Sequence, residues 1–94
     1  MDQNQEYETG YTMGTIKGEK DSSLLVPPYP NTTEGTEFYK KGYTNGYLMQ
    51  YTQGLSVKLK ASSNNELENL IATRLEEISE YMKLGNQKNR HSQK

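Results

Sequence analysis

The 94-residue chain contains no cysteine and no tryptophan, one phenylalanine, and a single histidine, His91, in a polar C-terminal stretch. Without cysteine there is no disulfide framework, no thiolate zinc site and no thiol nucleophile. One histidine cannot form a histidine metal cluster, and its place in a polar tail is no setting for a serine–histidine triad. No apolar run approaches the roughly 18–20 residues of a membrane span, and no signal peptide opens the chain, so a cytoplasmic setting without membrane contact is expected. Hydrophobic residues make up 31%, low for a globular domain, and a chain this short builds one domain with a thin core. Glu76 and Glu77 are adjacent, but neighbours on a helix point about 100° apart, which describes a solvated face and not a catalytic pair. No Gly-Lys-Ser/Thr sequence follows any glycine. The residues therefore point to no catalytic group, no cofactor and no metal, and the chain is expected not to be an enzyme.

What the sequence does have is tyrosine and glycine, eight of each. A tyrosine ring is apolar while its hydroxyl wants a partner, which suits half-buried packing and interfaces. Such a composition predicts a protein completed by a partner or by self-association. The net charge is −1, unevenly placed. Asp2, Glu6, Glu8, Glu19, Asp21, Glu34 and Glu37 make the first part acidic against Lys17 and Lys20. Lys40, Lys41, Lys58 and Lys60 lie in an acid-free stretch over 38–62, and Lys83, Lys88, Arg90 and Lys94 close the chain. Two local basic patches could meet phosphate although the whole is mildly acidic.

Periodicity predicts a mainly α fold. Gly10, Gly14 and Gly18, with Tyr7 and Tyr11, recur every four residues and share one face of a helix over about 4–17 that Gly18 ends. Residues 19–33 read as a loop stiffened by Pro27, Pro28 and Pro30, with Leu24-Leu25-Val26 as a short strand or plug. A second helix over about 34–52, capped by Thr32 or Thr33, carries Tyr39, Tyr43, Tyr47 and Tyr51, with Gly54 as its stop. Residues 55–61 alternate, with Leu55, Val57, Leu59 and Ala61 facing one way, which is the period of a strand. Ser63 and Glu66 form a capping box opening a third, amphipathic helix. Its stripe of Leu67, Leu70, Ile71, Leu75, Ile78, Tyr81 and Met82 ends at Gly85. The expected organisation is a glycine- and tyrosine-striped helical hairpin over 1–53, a strand and amphipathic helix over 54–85 completing the same domain, and a disordered basic tail over 86–94.

One internal repeat stands out. Tyr7-Glu-Thr-Gly10-Tyr11-Thr-Met-Gly14 and Tyr39-Lys-Lys-Gly42-Tyr43-Thr-Asn-Gly46 both read Tyr-x-x-Gly-Tyr-Thr-x-Gly. It predicts two glycine-striped helices packed on each other, held by Gly10, Tyr11, Gly14, Gly42 and Gly46. The order of these pieces, Gly10-Tyr11-Thr-Met-Gly14 with Gly18, then Pro28-Tyr29-Pro30, then Tyr39-Lys-Lys-Gly42-Tyr43, resembles ribosome modulation factor and its small relatives, many of them phage-encoded, over about residues 5–50. The resemblance implies two short helices joined by a loop, binding to ribosomal RNA and proteins, and ribosome dimerisation.

Two functions follow. In the first, the chain binds the ribosome or its RNA, with Lys40, Lys41, Lys58 and Lys60 on phosphate and Tyr43 and Tyr47 as ring contacts. In the second, it is a phage-encoded inhibitor or sequestering protein that oligomerises and binds a host protein or small nucleotide. Homo-oligomerisation is expected through the third helix or the strand, unless the helix covers the core of its own chain.

Overall fold

A computed structural model of the chain describes the backbone of residues 2–92 and the side chains of residues 2–83. It contains three helices, α1 Gln3–Leu24, α2 Glu37–Ala61 and α3 Asn65–Ser92. Helix α1 starts where the Asp2 carboxylate accepts the Gln5 N–H at 2.8 Å, and α2 where the Thr36 hydroxyl accepts the Tyr39 N–H at 3.3 Å, both side-chain N-caps.

Helices α1 and α2 pack on each other along their length, as the glycine–tyrosine repeat predicts, and they run in the same direction. A Cβ at Gly10 would strike the carbonyl of Tyr39, one at Gly14 that of Tyr43, and one at Gly18 would come within 2.6 Å of that of Tyr47. The contacts are reciprocal: a Cβ at Gly42 would strike the Tyr7 carbonyl, and one at Gly46 that of Tyr11. Residue pairs that exchange roles in this way mark a two-fold relation. Here the two-fold axis lies along the helix pair and relates residues 32 apart, the spacing of the sequence repeat. The hydrogen that replaces each side chain points at the facing carbonyl, the weak Cα–H···O contact of closely packed backbones.

A parallel pair needs a link that returns the length of a helix. The level of Glu37 lies beside residue 5, so the link spans about 28 Å from the end of α1 at 1.5 Å per residue. The twelve residues 25–36 cover about 37 Å in the extended proline conformation. Proline keeps this path extended and removes donors that a lone crossover could not satisfy. Leu25 turns the chain out of α1 in the left-handed region, φ 57° and ψ 29°. Its N–H bonds the Ser22 carbonyl and that of Val26 bonds Asp21, a Schellman ending.

Several expected boundaries are corrected. Gly18 and Gly54 are not stops. Gly18 packs on Tyr47, a Cβ at Gly54 would strike Ser22, and both helices continue past them. Residues 55–61 are the last turns of α2, and among the described residues there is no strand, either there or at 24–26. Leu55 is fully buried because it continues the four-residue spacing of Tyr47 and Tyr51, whereas Val57 and Leu59 are exposed. Helical packing, not alternation, decides that segment. The cap of α3 is Asn64, whose Oδ1 accepts the N–H groups of Glu66 and Leu67, and not Ser63. Helix α3 also passes Gly85 and runs to Ser92, and residues 93–94 of the expected tail lie outside the described residues. One glycine costs a helix only about 1 kcal/mol relative to alanine. The side chains of Lys88, Arg90 and Lys94 lie outside the described residues.

The core forms where α3 lies against α2. Tyr47, Tyr51, Leu55, Ile71 and Ile78 are buried together, with Leu25, Leu48, Leu67 and Leu75 packed around them. A connection of three residues between α2 and α3 returns the chain antiparallel.

Candidate functional site

The two-fold relation of α1 and α2 leaves a groove on each side of the pair. The first is walled by the tyrosine ladder of α2. Its rings stack with centroids 6.5 Å apart between Tyr39 and Tyr43, 6.2 Å between Tyr43 and Tyr47, and 5.6 Å between Tyr47 and Tyr51. The proline crossover lies in this groove. The Tyr51 hydroxyl donates to the Val26 carbonyl, and the Tyr47 hydroxyl accepts the Tyr29 N–H at 3.0 Å while donating to Asp21 at 2.5 Å. Arg74 of α3 donates from Nε to the Leu25 carbonyl at 2.8 Å. Pro28 and Pro30 are buried, and Gly35 lies against the Tyr39 ring.

Burial makes these hydroxyls poor acids. The Tyr51 hydroxyl is pushed up to about 12 by desolvation. Tyr47 is raised further, first by desolvation and then by its hydrogen bond to the Asp21 carboxylate. Tyr43 is raised by burial and, less, by the Asp21 charge. Asp21, itself buried, is balanced by the Lys17 ammonium 3.3 Å away.

The second groove is open. Its volume is about 630 Å³, and it is lined by Tyr7 and Tyr11 of α1, by Asn45, Leu48, Met49, Thr52 and Gln53 of α2, and by Met82 of α3. Tyr7 and Tyr11 stack with centroids 6.2 Å apart, as their counterparts Tyr39 and Tyr43 do. The Tyr7 hydroxyl accepts from Asn45 Nδ2 at 2.9 Å, and the Tyr11 hydroxyl donates to Met49 Sδ at 2.9 Å. A thioether is a weak acceptor, so Tyr11 holds a proton that a peptide carbonyl would bind better.

The residues expected to hold RNA do not come together. Lys40 and Lys41 lie in the first turns of α2, while Lys58 and Lys60 lie in its last turn, about 26 Å further along at 1.5 Å per residue. Lys40 Nζ lies 4.0 Å from the Glu37 carboxylate. Tyr47 is fully buried, so its ring is not a nucleic-acid contact; its hydroxyl and its ring are spent on the crossover and the ladder. Tyr43 is half-buried in the same ladder.

The α3 stripe is used within the chain. Ile71 and Ile78 are buried on α2, Leu67 and Leu75 pack against them, Leu70 remains at the edge, and Tyr81 lies beside Pro27 and Pro28. Gly10, Gly14, Gly42 and Gly46 do hold the helix pair. Tyr11 does so through its carbonyl, while its ring lines the open groove. Sequence reasoning did not single out Tyr7, Met49 and Met82 as site residues. The signal available for Tyr7 was its place in the repeat opposite Tyr39.

Among the described residues no group of three histidine, cysteine, aspartate or glutamate side chains could hold a metal ion, and no helix is long and apolar enough to cross a membrane. No family model, curated protein or solved structure matches the chain.

Proposed function

We propose that the chain is a non-enzymatic binding protein that docks a protein partner in the open groove beside Tyr7 and Tyr11. The observation that carries this reading is the lining of the groove, two stacked tyrosines facing Leu48, Met49 and Met82. Tyrosine and methionine are enriched at protein interfaces, and a flexible thioether adapts to the shape it meets. The alternative is binding to the ribosome as a relative of ribosome modulation factor. It is supported by the layout of residues 5–50, two glycine–tyrosine helices joined by a proline–tyrosine link, and weakened by the separation of the lysines.

A pull-down of the tagged chain from lysate, with and without ribonuclease, separates the two. A protein recovered regardless of ribonuclease, and lost when exposed Met49 is replaced by lysine, supports the docking groove. Ribosomal proteins and RNA recovered together, and lost with ribonuclease or at high salt, overturn it in favour of the ribosome.

A further inference from the structure

The crossover has an outer side that the tyrosine ladder does not cover. Pro28 and Pro30 are buried, whereas Val26, Pro27 and Tyr29 are exposed, Tyr29 to 62%. Three bonds hold this segment in place: from Arg74 Nε to the Leu25 carbonyl, from the Tyr51 hydroxyl to the Val26 carbonyl, and from the Tyr29 N–H to the Tyr47 hydroxyl. Between it and α3 lies a pocket of about 430 Å³ lined by Pro27, Pro28, Glu77, Glu80 and Tyr81. The pocket shares no lining residue with the open groove. Its walls are two pyrrolidine rings and a phenol ring, its charged groups are two carboxylates, and no lysine or arginine lines it.

We infer that this pocket takes an arginine side chain of a partner polypeptide. An ionised carboxylate only accepts hydrogen bonds, so a ligand that meets Glu77 and Glu80 has to bring donors, and a cation meets their charge as well. The two stand three residues apart on one side of α3, with Cβ atoms about 5–6 Å apart, a span that the fork of a guanidinium bridges. The apolar walls suit its aliphatic stem, and its plane stacks on a tyrosine face better than a strongly hydrated ammonium does. Both carboxylates have capacity left. Arg74 donates to Glu77 through Oε1 at 2.8 Å, one of about four acceptor positions on that group. Lys83 lies 3.6 Å from Glu80 with both side chains mostly exposed, and an exposed pair contributes little, so an incoming guanidinium displaces it. The partner is a polypeptide because Val26, Pro27 and Tyr29 offer the residues flanking the arginine an apolar ridge. That ridge is already fixed by its three bonds, so docking costs it little further ordering. The surface is separate from the open groove and does not rest on docking there.

The test titrates the full chain with the peptide acetyl-Leu-Arg-Leu-amide, followed by two-dimensional NMR. The control is the same peptide carrying citrulline, the uncharged urea analogue of arginine. Saturable shifts at Pro27, Glu77, Glu80 and Tyr81 are expected, weakened about tenfold by citrulline and severalfold by Glu80→Gln, and reduced by added salt. The Glu80 side chain is 70% exposed, so Glu80→Gln keeps the fold even if Glu77→Gln, which also loses the Arg74 contact, does not. No shift at millimolar peptide, equal binding of the citrulline peptide, or unchanged binding by Glu80→Gln overturns the inference. So does spermidine or free arginine amide giving the same shifts at the same concentration, which makes the pocket a site for small cations. Shifts confined to Tyr7, Tyr11 and Met49 also overturn it, and leave the open groove standing as the place where polypeptide docks. Loss of lysate capture on Met49→Lys bears on that groove alone.

Discussion

Tyr47 and Tyr51 hold the crossover by their hydroxyls, and the two contacts differ in what their loss leaves behind. Tyr51→Phe leaves one carbonyl, that of Val26, without its donor. Tyr47→Phe leaves both the Tyr29 N–H and the buried Asp21 carboxylate short of a partner. A neutral hydrogen bond is worth about 1 kcal/mol and one to a charged group about 1.5–3 kcal/mol, so at pH 7 the Tyr47 variant should be the less stable of the two by urea denaturation. Both tyrosines also set an alkaline limit. The unfolded chain releases a tyrosine proton near pH 10, whereas the folded chain keeps that of Tyr51 until about 12 and that of Tyr47 beyond. Between these values the unfolded state binds fewer protons. The stability present in full below pH 10 is therefore lost as pH rises, by on the order of 1.4 kcal/mol per pH unit for each group. Urea midpoints at pH 8, 10, 11 and 12 should fall accordingly, and less steeply in Tyr51→Phe.

The crossing of α1 and α2 turns the ordinary effect of alanine on a helix around. Gly→Ala inside a helix normally gains up to about 1 kcal/mol. At Gly42 the new methyl would meet the carbonyl of Tyr7 and the nitrogen of Tyr11, and at Gly10 the carbonyl of Tyr39. These are backbone atoms of a packed helix, which cannot step aside, so each variant should lose about 1–3 kcal/mol as overpacked sites do. The two-fold relation requires that the two losses be similar. A thermal melt showing either variant unchanged would refute the reciprocal crossing. Helix α3 makes a second contrast. Ile78 is 2% exposed and Leu70 37%. Ile78→Glu places a carboxylate in the core and should abolish cooperative unfolding. Leu70→Glu should move the midpoint by less than about 1 kcal/mol, as surface changes do.

The parallel course of the first two helices makes the length of the crossover a constraint on the whole molecule. Deleting residues 31–35 leaves seven linking residues, which reach about 24 Å at full stretch, short of the roughly 28 Å the in-register pair requires. Circular dichroism of that deletion should show a broad, uncooperative melt. Inserting four glycines at the same place should cost less than about 1 kcal/mol, since closure entropy grows slowly with loop length. An antiparallel pair would accept the deletion without loss. The same topology bears on self-association. The chain has a Cα radius of gyration of 14.5 Å. Of the faces through which oligomerisation was expected, Ile71, Ile78 and Leu55 are buried within it, whereas Val57, Leu59 and Leu70 stay exposed.

Local pattern alone was enough for three helices and for the contact surface of two of them. The stripe of α3 repeats at the helical period, and the matching Tyr-x-x-Gly-Tyr-Thr-x-Gly segments name the residues that touch. The direction of the pair was not legible, because a periodic stripe matches itself whether its partner runs up or down; a link long enough to return is compatible with both. The ends of the helices were not legible either. A glycine that stops a helix and one that admits a neighbouring backbone are the same residue, and only the carbonyls of Tyr47 beside Gly18 and the hydroxyl of Ser22 beside Gly54 tell them apart. Leu55-Ser-Val-Lys-Leu-Lys-Ala alternates like a strand, yet Leu55 lies four residues beyond Tyr51, and burial beneath α3 favours the helical spacing. Burial likewise removed Tyr47 from any surface and left Tyr11 on one. Tyr47 stands one residue past the repeat, with Thr15 as its counterpart, and it is the crossover, by lying in one groove and not in the other, that covers Tyr47 and leaves the Tyr11 ring on an open groove.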